Sequence, residues 1–584
     1  MNAQRRFAHN ERSTGSDRIH FVLIAMSVFA GIIGMRVFFL SVIQHGNYVE
    51  LAQAQHALEQ TIQPVRGTIF TTSQIDASKK IPIASNRTYG LLYAVPEDVI
   101  NKEQTADALI GVLPDLKKDD IVAKMNKPKD LYEELAHKLS EEQRTTIDKL
   151  NLKGIYITDE QVRYYPENSI GAQMIGFVGF KGDDRIGQYG IEGAMEKYLA
   201  GQKGYVKADR DTGGRWIVTG TQEFKDAQDG SNLVLTVDDT IQFTACTKLD
   251  EAVKKHGADS GSVIIMNPTT GAILAMCTSP SFNPNEYNKV DSISIYENQV
   301  VTGAYEPGSV FKGLTMSAAI NEGKVTPDTT YEDSGEEKIA SFTIRNSDGK
   351  ANGIQTMTQV LEKSLNTGAI FAMRQLGPKL FTTYVQKYGF GEKTGVDVQG
   401  EAAGNISNLK LPGEIFSATA SFGQGITVTP LQLVAAYAAI ANGGQLLKPY
   451  IIQEIDHPDG KKDVTQPQTV RQVISSDTAS TIGAMLVNVV ENGHGTRAGV
   501  EGYWVAGKTG TAQVKSTSGG GYDPSATIGT FAGFAPVSNP VFAMVVRIDH
   551  PRDVTYAESS AAPLFGDIAK FLLHYLQIAP DRVQ

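Results

Sequence analysis

The chain is poor in cysteine, in tryptophan and in basic charge. Its 584 residues include two cysteines, Cys246 and Cys277, and two tryptophans. Neither cysteine belongs to a CxxC pair and the ten histidines are scattered, which excludes a disulfide framework and a structural zinc site. Lys and Arg number 54 against 64 Asp and Glu, a net charge of -10, which argues against broad nucleic-acid binding through clustered cations. No internal repeat is evident. A composition that is 41% hydrophobic and 20% charged excludes a largely disordered or collagen-like chain. Long apolar runs are missing too, with one exception, so a multi-span membrane protein is excluded. The length is about four times the ~150-residue domain prior, so several domains are expected.

The exception is FVLIAMSVFAGIIGMRVFFLSVI, Phe21 to Ile43, whose one charge is Arg36. As a helix it spans roughly 34 Å, enough for a hydrocarbon core of ~30 Å. A cleaved signal peptide would have a shorter apolar region of about 7–15 residues and a small-x-small site. Here Gln44-His45-Gly46-Asn47 follows, and a buried core helix is rarely apolar on every side for so long. Arg5, Arg6, Arg12 and Arg18 precede the run and outnumber Glu11 and Asp17. The segment therefore reads as an uncleaved single-pass anchor in the cytoplasmic membrane, with residues 1–20 inside and the rest exported. Two exported cysteines could pair, but nothing in the sequence places them together.

Residues 44–229 read as a pedestal. Gly46 to Ile62 is polar and helix-permissive, a stalk. GTIF, IPIAS and TYGLLYAV read as short strands. From about 96 to 150, ADALIGVL, DLYEELAHKL and EEQRTTIDKL read as a small helical insertion with solvated charged faces. Glycine-rich β segments return up to Gly230, with no helix of any length before Ile191. Residues 230–584 read as a second domain. Strands are expected at 232–237, 262–266, 272–277, 503–513, 527–535 and 541–548. Helices are expected at 238–255, through most of 309–443, and from 562 to about 576. Strands at both ends with helices between them make an α+β domain, one antiparallel sheet closed by its termini against a helical layer.

The octapeptide Tyr305-Glu306-Pro307-Gly308-Ser309-Val310-Phe311-Lys312 carries the strongest chemical signal. Pro307-Gly308 turns into a helical stretch, so Ser309 stands at a helix start with Lys312 one turn on, on the same face. A lysine there can take the serine's proton provided that desolvation or nearby cations keep it neutral. The helix start also favours charge developing on an attacked carbonyl. Alone, such a pair is commonly an N-cap serine and a surface lysine. Ser364-Leu365-Asn366 adds a hydroxyl and an amide able to face one cleft. Lys508-Thr509-Gly510-Thr511 adds a strand on which Lys508 supplies a cation for a carboxylate and Gly510 admits a substrate backbone. Each has an ordinary structural reading by itself. Together and in this order they favour a serine acyltransferase.

The set SxxK, SxN, KTG resembles the penicillin-binding protein and serine β-lactamase superfamily. Longer stretches resemble the class B penicillin-binding proteins: YEPGSVFK, KSLNTGAIFA, ASFGQGITVTPLQLVAAYAAIANGG, VAGKTGTAQV, TIGTFAGFAP and NPVFAMVVRIDHP. In the pedestal the same class is matched by Arg66-Gly67-Thr68-Ile69, Arg163-Tyr164-Tyr165-Pro166 and GQYGIEGAMEKYLAGQKG. Two departures fall there: Phe70 is followed by Thr71-Thr72-Ser73 instead of an Asp-Arg-Asn-Gly-like turn, and Asn168 stands where glycine is common. Asn tolerates the left-handed conformation, so the second is mild.

The resemblance implies a five-stranded antiparallel sheet flanked by helices in the transpeptidase domain, and a D,D-transpeptidase that cross-links peptidoglycan. It implies that Ser309 attacks the carbonyl between two D-alanines of a stem peptide, with Lys312 as general base. Ser364 and Asn366 relay protons and position the donor, Lys508 and Thr509 hold the terminal carboxylate, and Gly510 lines the strand. The amides of Ser309 and Thr511 form the oxyanion hole. The acceptor is an amine of a neighbouring stem peptide, and β-lactams acylate Ser309. No metal or organic cofactor is implied. The implied partners are the membrane, a SEDS-type glycosyltransferase and other wall-synthesis proteins, in division or elongation. A β-lactamase or β-lactam sensor on the same fold, or an inactive scaffold, are the other readings. The long pedestal and single span argue against the first two, and the intact motifs against the third.

Overall fold

The computed structural model describes residues 14–46, 57–76, 78–127, 130, 132–182, 184–209, 222–515 and 521–582. By its internal contacts the chain divides into two compact units, one of 1–64 with 202–228 and one of 65–201 with 229–584.

In the first unit an α-helix, Thr14–Phe38, runs on through a π turn, Phe39–Ile43. The 25 residues Ile19–Ile43 are predominantly apolar, with a mean hydropathy of 2.2, and bury none of that surface, which fits a single-pass membrane anchor. The expected helix-permissive stalk is corrected at its end: Ala57–Ile62 is a strand, paired antiparallel with Gly204–Asp209, which in turn pairs with Gln222–Lys225. The rest of that stalk, 47–56, lies outside the described residues.

In the second unit a seven-stranded sheet runs in the order Lys462–Val464, Ile452–Asp456, Asn232–Asp238, Ile69–Thr72, Ile81–Ala94, Glu133–Leu139, with Ile155–Tyr164 also pairing with Ile81–Ala94. The segments IPIAS and TYGLLYAV thus belong to one long strand. The helical insertion holds at Lys102–Val112, Lys118–Met125 and Glu141–Leu150. It fails at DLYEELAHKL, where Glu133–Leu139 is a strand. Leu135 and Leu139 are spaced as on one helix face, yet the strand pairs with Ile81–Ala94 and buries both leucines with Leu92 and Leu109. Tertiary pairing overrides local propensity here.

Three pedestal motifs converge on Glu192, which is fully buried. Its carboxylate accepts from Arg66 Nε at 2.8 Å, Arg163 Nε at 2.6 Å and Tyr165 Oη at 3.2 Å. Asn168 takes φ +51°, the left-handed conformation that makes Asn a mild replacement for glycine.

The chemistry rests on the five-stranded antiparallel sheet Ile273–Ser279, Ser260–Met266, Phe542–Asp549, Tyr522–Ala535, Ala506–Lys515. Alternate residues feed two cores. Val263, Ile265, Phe531 and Val546 pack with the Asp239–Lys255 and Ala561–Tyr575 helices. Ile264, Met266, Ala532 and Val545 pack with Pro430–Ala441 and the Ser309-bearing helix. Pro430–Ala441 (PLQLVAAYAAIA) is buried over nearly all its length, as an all-apolar helix requires, and Thr429 with Gln432 closes a capping box at its start. The expectation of helices through 309–443 is corrected between Thr330 and Thr356, where two hairpin-like pairs stand. Cys246, on the Asp239–Lys255 helix, forms a disulfide with Cys277, on the strand beside it.

Candidate active site

Gly308, at φ +61°, turns the chain out of Pro307 into a 3-10 turn, Gly308–Val310, that continues as the helix Phe311–Asn321. Ser309 is half-buried at this start and Lys312 follows one turn on. The turn is pinned from several sides. Gly308 N–H donates to Gly423 O at 3.1 Å, Tyr437 Oη to Val310 O at 2.7 Å, and Thr315 Oγ1 to Ser421 O at 2.7 Å.

Lys312 is 1% exposed. Burial holds its amine well below the usual lysine range, and the nearby Lys508 cation pushes it further down. Its Nζ lies 2.5 Å from Ser364 O and 3.2 Å from Ser364 Oγ. A neutral amine has two N–H donors and one lone pair, so donation to these two oxygens leaves the lone pair for a proton. Ser364 itself sits at φ +56°, a conformation costly for a residue with a Cβ. Asn366 begins the helix Asn366–Leu376, and its Nδ2 donates to Arg345 O at 2.8 Å.

The third motif lies on the edge strand Ala506–Lys515. Lys508 is fully buried, and burial lowers its amine to about 7, with Glu558 pulling the other way. Its Nζ donates to Thr509 O at 3.1 Å and Thr509 Oγ1 at 3.3 Å. A Cβ on Gly510 would stand 2.8 Å from Pro307 O and 3.1 Å from Val310 N, so only glycine lets this strand lie against the Ser309 turn. The Thr511 hydroxyl accepts from Ala557 N–H at 3.0 Å.

The structure thus gathers Ser309, Lys312, Ser364 and Lys508 around two buried amines, with Gly510 packed against the serine turn. Asn366 adjoins them, its amide nitrogen held by Arg345. A cavity of about 610 Å³ lies elsewhere, along Ser260, Thr278, Asn283 and Glu297, so chemistry rather than volume marks this site. The sequence assigned no role to Gly423, Tyr437 or Glu306, although all three fall in the stretches that carry the resemblance. Glu306 accepts from Gly425 N–H at 3.2 Å and from Tyr522 Oη at 3.0 Å, tying the serine turn to its neighbours. The glycine pair of SFGQG was the available signal for the first.

A helix-borne serine beside buried lysines is the equipment of a serine acyltransferase. The family model described as Penicillin binding protein transpeptidase domain matches residues 261–570, and Penicillin-binding Protein dimerisation domain matches 61–235. The chain is 33% identical over 574 residues to stage V sporulation protein D of Bacillus subtilis, covering 97% of this chain and 87% of that protein. It is 31% identical over 578 residues to the peptidoglycan D,D-transpeptidase FtsI of Escherichia coli, covering 96% and 91%. The crystal structure of penicillin-binding protein 3 from Mycobacterium tuberculosis with ampicillin aligns at TM-score 0.69 and 27% identity, over 90% of this chain and 98% of that one. Penicillin-binding protein 2X of Streptococcus thermophilus shares the fold at TM-score 0.74 and 23% identity, over 89% of this chain and 81% of that one. The chain belongs to the penicillin-binding transpeptidases, as a class B penicillin-binding protein.

Proposed function

We propose that this protein is a membrane-anchored serine D,D-transpeptidase that cross-links peptidoglycan stem peptides through an acyl-enzyme on Ser309. The observation that carries the assignment of roles is the buried amine of Lys312, one turn from Ser309 and 3.2 Å from Ser364 Oγ. Ser309 Oγ gives its proton to Lys312 and bonds to the carbonyl between the two D-alanines. The oxyanion that forms is held by the backbone N–H groups of Ser309 and Thr511. Support for that pairing is the close approach of the Gly510 backbone to Pro307 and Val310. The C–N bond then breaks, and the leaving D-alanine amine takes the proton back from Lys312 by way of Ser364. Asn366 positions the donor peptide, and Lys508 with Thr509 holds the terminal carboxylate. An amine of a second stem peptide attacks the ester, its proton passes by way of Lys312 to the departing Ser309 Oγ, and the C–O bond breaks to free Ser309. β-Lactams acylate the same oxygen. None of these steps calls for a metal or organic cofactor.

The anchor is residues 21–43, with the pedestal 44–229 and the transpeptidase domain 230–584 outside the membrane, because Arg5, Arg6, Arg12 and Arg18 keep residues 1–20 inside. Strand polymerisation falls to a separate glycosyltransferase of the SEDS type, contacted through the anchor and pedestal. Full-length protein in detergent, incubated with a fluorescent penicillin and then denatured, should keep covalent label, and Ser309→Ala should lose it. Rapid drug turnover would instead mark a β-lactamase, and absence of label a scaffold. Protease outside intact spheroplasts should remove nearly the whole chain, and survival of residues 230–584 would reverse the orientation.

A further inference from the structure

The helix that presents Asn366 has no cap of its own: its N-cap residue is Leu365, whose side chain accepts nothing. The N–H groups at its start, which lack an acceptor within the helix, are capped from elsewhere. Asn346 Oδ1 accepts from Asn366 N at 2.9 Å and from Thr367 N at 3.3 Å. Arg345 O holds the Asn366 side-chain amide at 2.8 Å. Residues 345 and 346 therefore fix both the backbone and the side chain of the third residue of the SxN motif.

Asn346 is in turn oriented by Asp333, at the end of the strand Thr330–Asp333. Asn346 Nδ2 donates to Asp333 Oδ1 at 2.9 Å and to Oδ2 at 3.0 Å. Thr367 Oγ1 donates to Asp333 Oδ1 at 2.7 Å, Gly335 N at 3.1 Å, and Asn352 reaches Oδ2 through its N at 3.0 Å and its Nδ2 at 2.8 Å. Asp333, Asn346 and Thr367 are all at least nine-tenths buried. Every group facing Asp333 in these contacts is a donor, a set that suits an acceptor-only carboxylate and penalises an amide. The carboxylate also lies close to the positive end of the Asn366–Leu376 helix. Burial pushes this carboxyl up, but the hydrogen bonds led by Thr367 outweigh it and hold it below the usual range.

We infer that Asp333, acting through Asn346 and Thr367, is a positioning residue for the SxN motif: it fixes Asn366, and through the backbone the Ser364 oxygens that engage Lys312. The inference rests on the roles proposed above for Ser309 and Lys312. Asp333 touches no reacting atom and works by aligning those that do. A misplacement of this kind is felt in the rate long before the fold is lost.

The test is the second-order rate of acylation of full-length protein by a fluorescent penicillin, with folding followed by thermal unfolding. Asp333→Asn should be acylated about 10- to 100-fold more slowly while still folded. Asn346→Ala keeps the Asp333 carboxylate but removes the acceptor of Asn366 N and Thr367 N, so it should slow acylation by a similar factor, and adding it to Asp333→Asn should slow the reaction by no more than about a further 3-fold, because the two act in series. Should Asp333→Asn fail to fold, Thr367→Val removes one donor without changing charge and should slow acylation about 3- to 10-fold. A folded Asp333→Asn or Thr367→Val protein acylated at the wild-type rate overturns the inference, as does a folded double variant whose loss is the product of the two single losses. Failure of the underlying reading looks different: wild-type protein would take no label, or Ser309→Ala would keep it.

Discussion

Gly423→Ala probes how tightly the serine turn is held. Gly423 sits at φ +81°, and a Cβ there would stand 2.2 Å from Gly308 O and 2.6 Å from Gly308 N. An ordinary carbon–oxygen contact is about 3.3 Å, so one partner must move by roughly 1 Å. The left-handed conformation adds about 1–2 kcal/mol for alanine. Forcing the contact apart adds about 1–3 kcal/mol, and the total stays below the 5–15 kcal/mol typical of a folded domain, so the variant should still fold. Its effect on rate is larger. Gly308 is bonded to Ser309, and the helix behind it is fixed by Tyr437 at Val310 O. The strain therefore falls on the peptide carrying the nucleophile, where about 1 Å of misplacement costs on the order of 100-fold. The assay is the time course of penicillin acylation at several drug concentrations, with circular dichroism as the check on folding. A folded Gly423→Ala protein within about 2-fold of wild type would refute the reasoning, because a 1 Å shift at the nucleophile cannot be kinetically silent.

Further outcomes follow from the same contacts. General-base catalysis needs Lys312 neutral, so acylation is lost as pH falls through its depressed pKa. Carboxylate binding needs Lys508 protonated, so it weakens as pH rises above about 7. Lys508→Arg should remove the alkaline limb and keep the acid one, and a wild-type rate still climbing at high pH would contradict the assignment. Among the described residues, Glu192→Ala leaves Arg163 with Gly67 O and Asn86 Oδ1 as acceptors, while Arg66 keeps Glu196. Denaturant unfolding should show a loss of about 3–5 kcal/mol, with acylation of the folded variant unchanged. The disulfide joins cysteines 31 residues apart, and replacing both with alanine should cost roughly 3–4 kcal/mol; an unchanged midpoint would count against a constraining role.

The reach of the sequence differs from element to element, for physical reasons. The edge strands and the Ser309 turn were legible because period-2 alternation and a Pro-Gly turn are local signals. The lysines were nameable and a neutral Lys312 could be stated as a requirement, but that it is met depends on Lys312 and Lys508 being buried near each other, one on a helix and the other on the edge strand. DLYEELAHKL was misread because Leu135 and Leu139 satisfy a helical spacing that strand pairing then overrides. The pairing of Cys246 with Cys277 left no sequence signal, because it depends on the Asp239–Lys255 helix packing beside the strand Ile273–Ser279. Asp333 left no trace at all, because its partners Asn346, Asn352 and Thr367 come from separate segments.

The most direct test of the central claim is mass spectrometry of full-length protein quenched during reaction with a stem pentapeptide ending in D-Ala-D-Ala. The account predicts release of D-alanine and an ester-linked tetrapeptidyl adduct on Ser309, both abolished in Ser309→Ala. An adduct on another residue, or D-alanine release that survives Ser309→Ala, would contradict it.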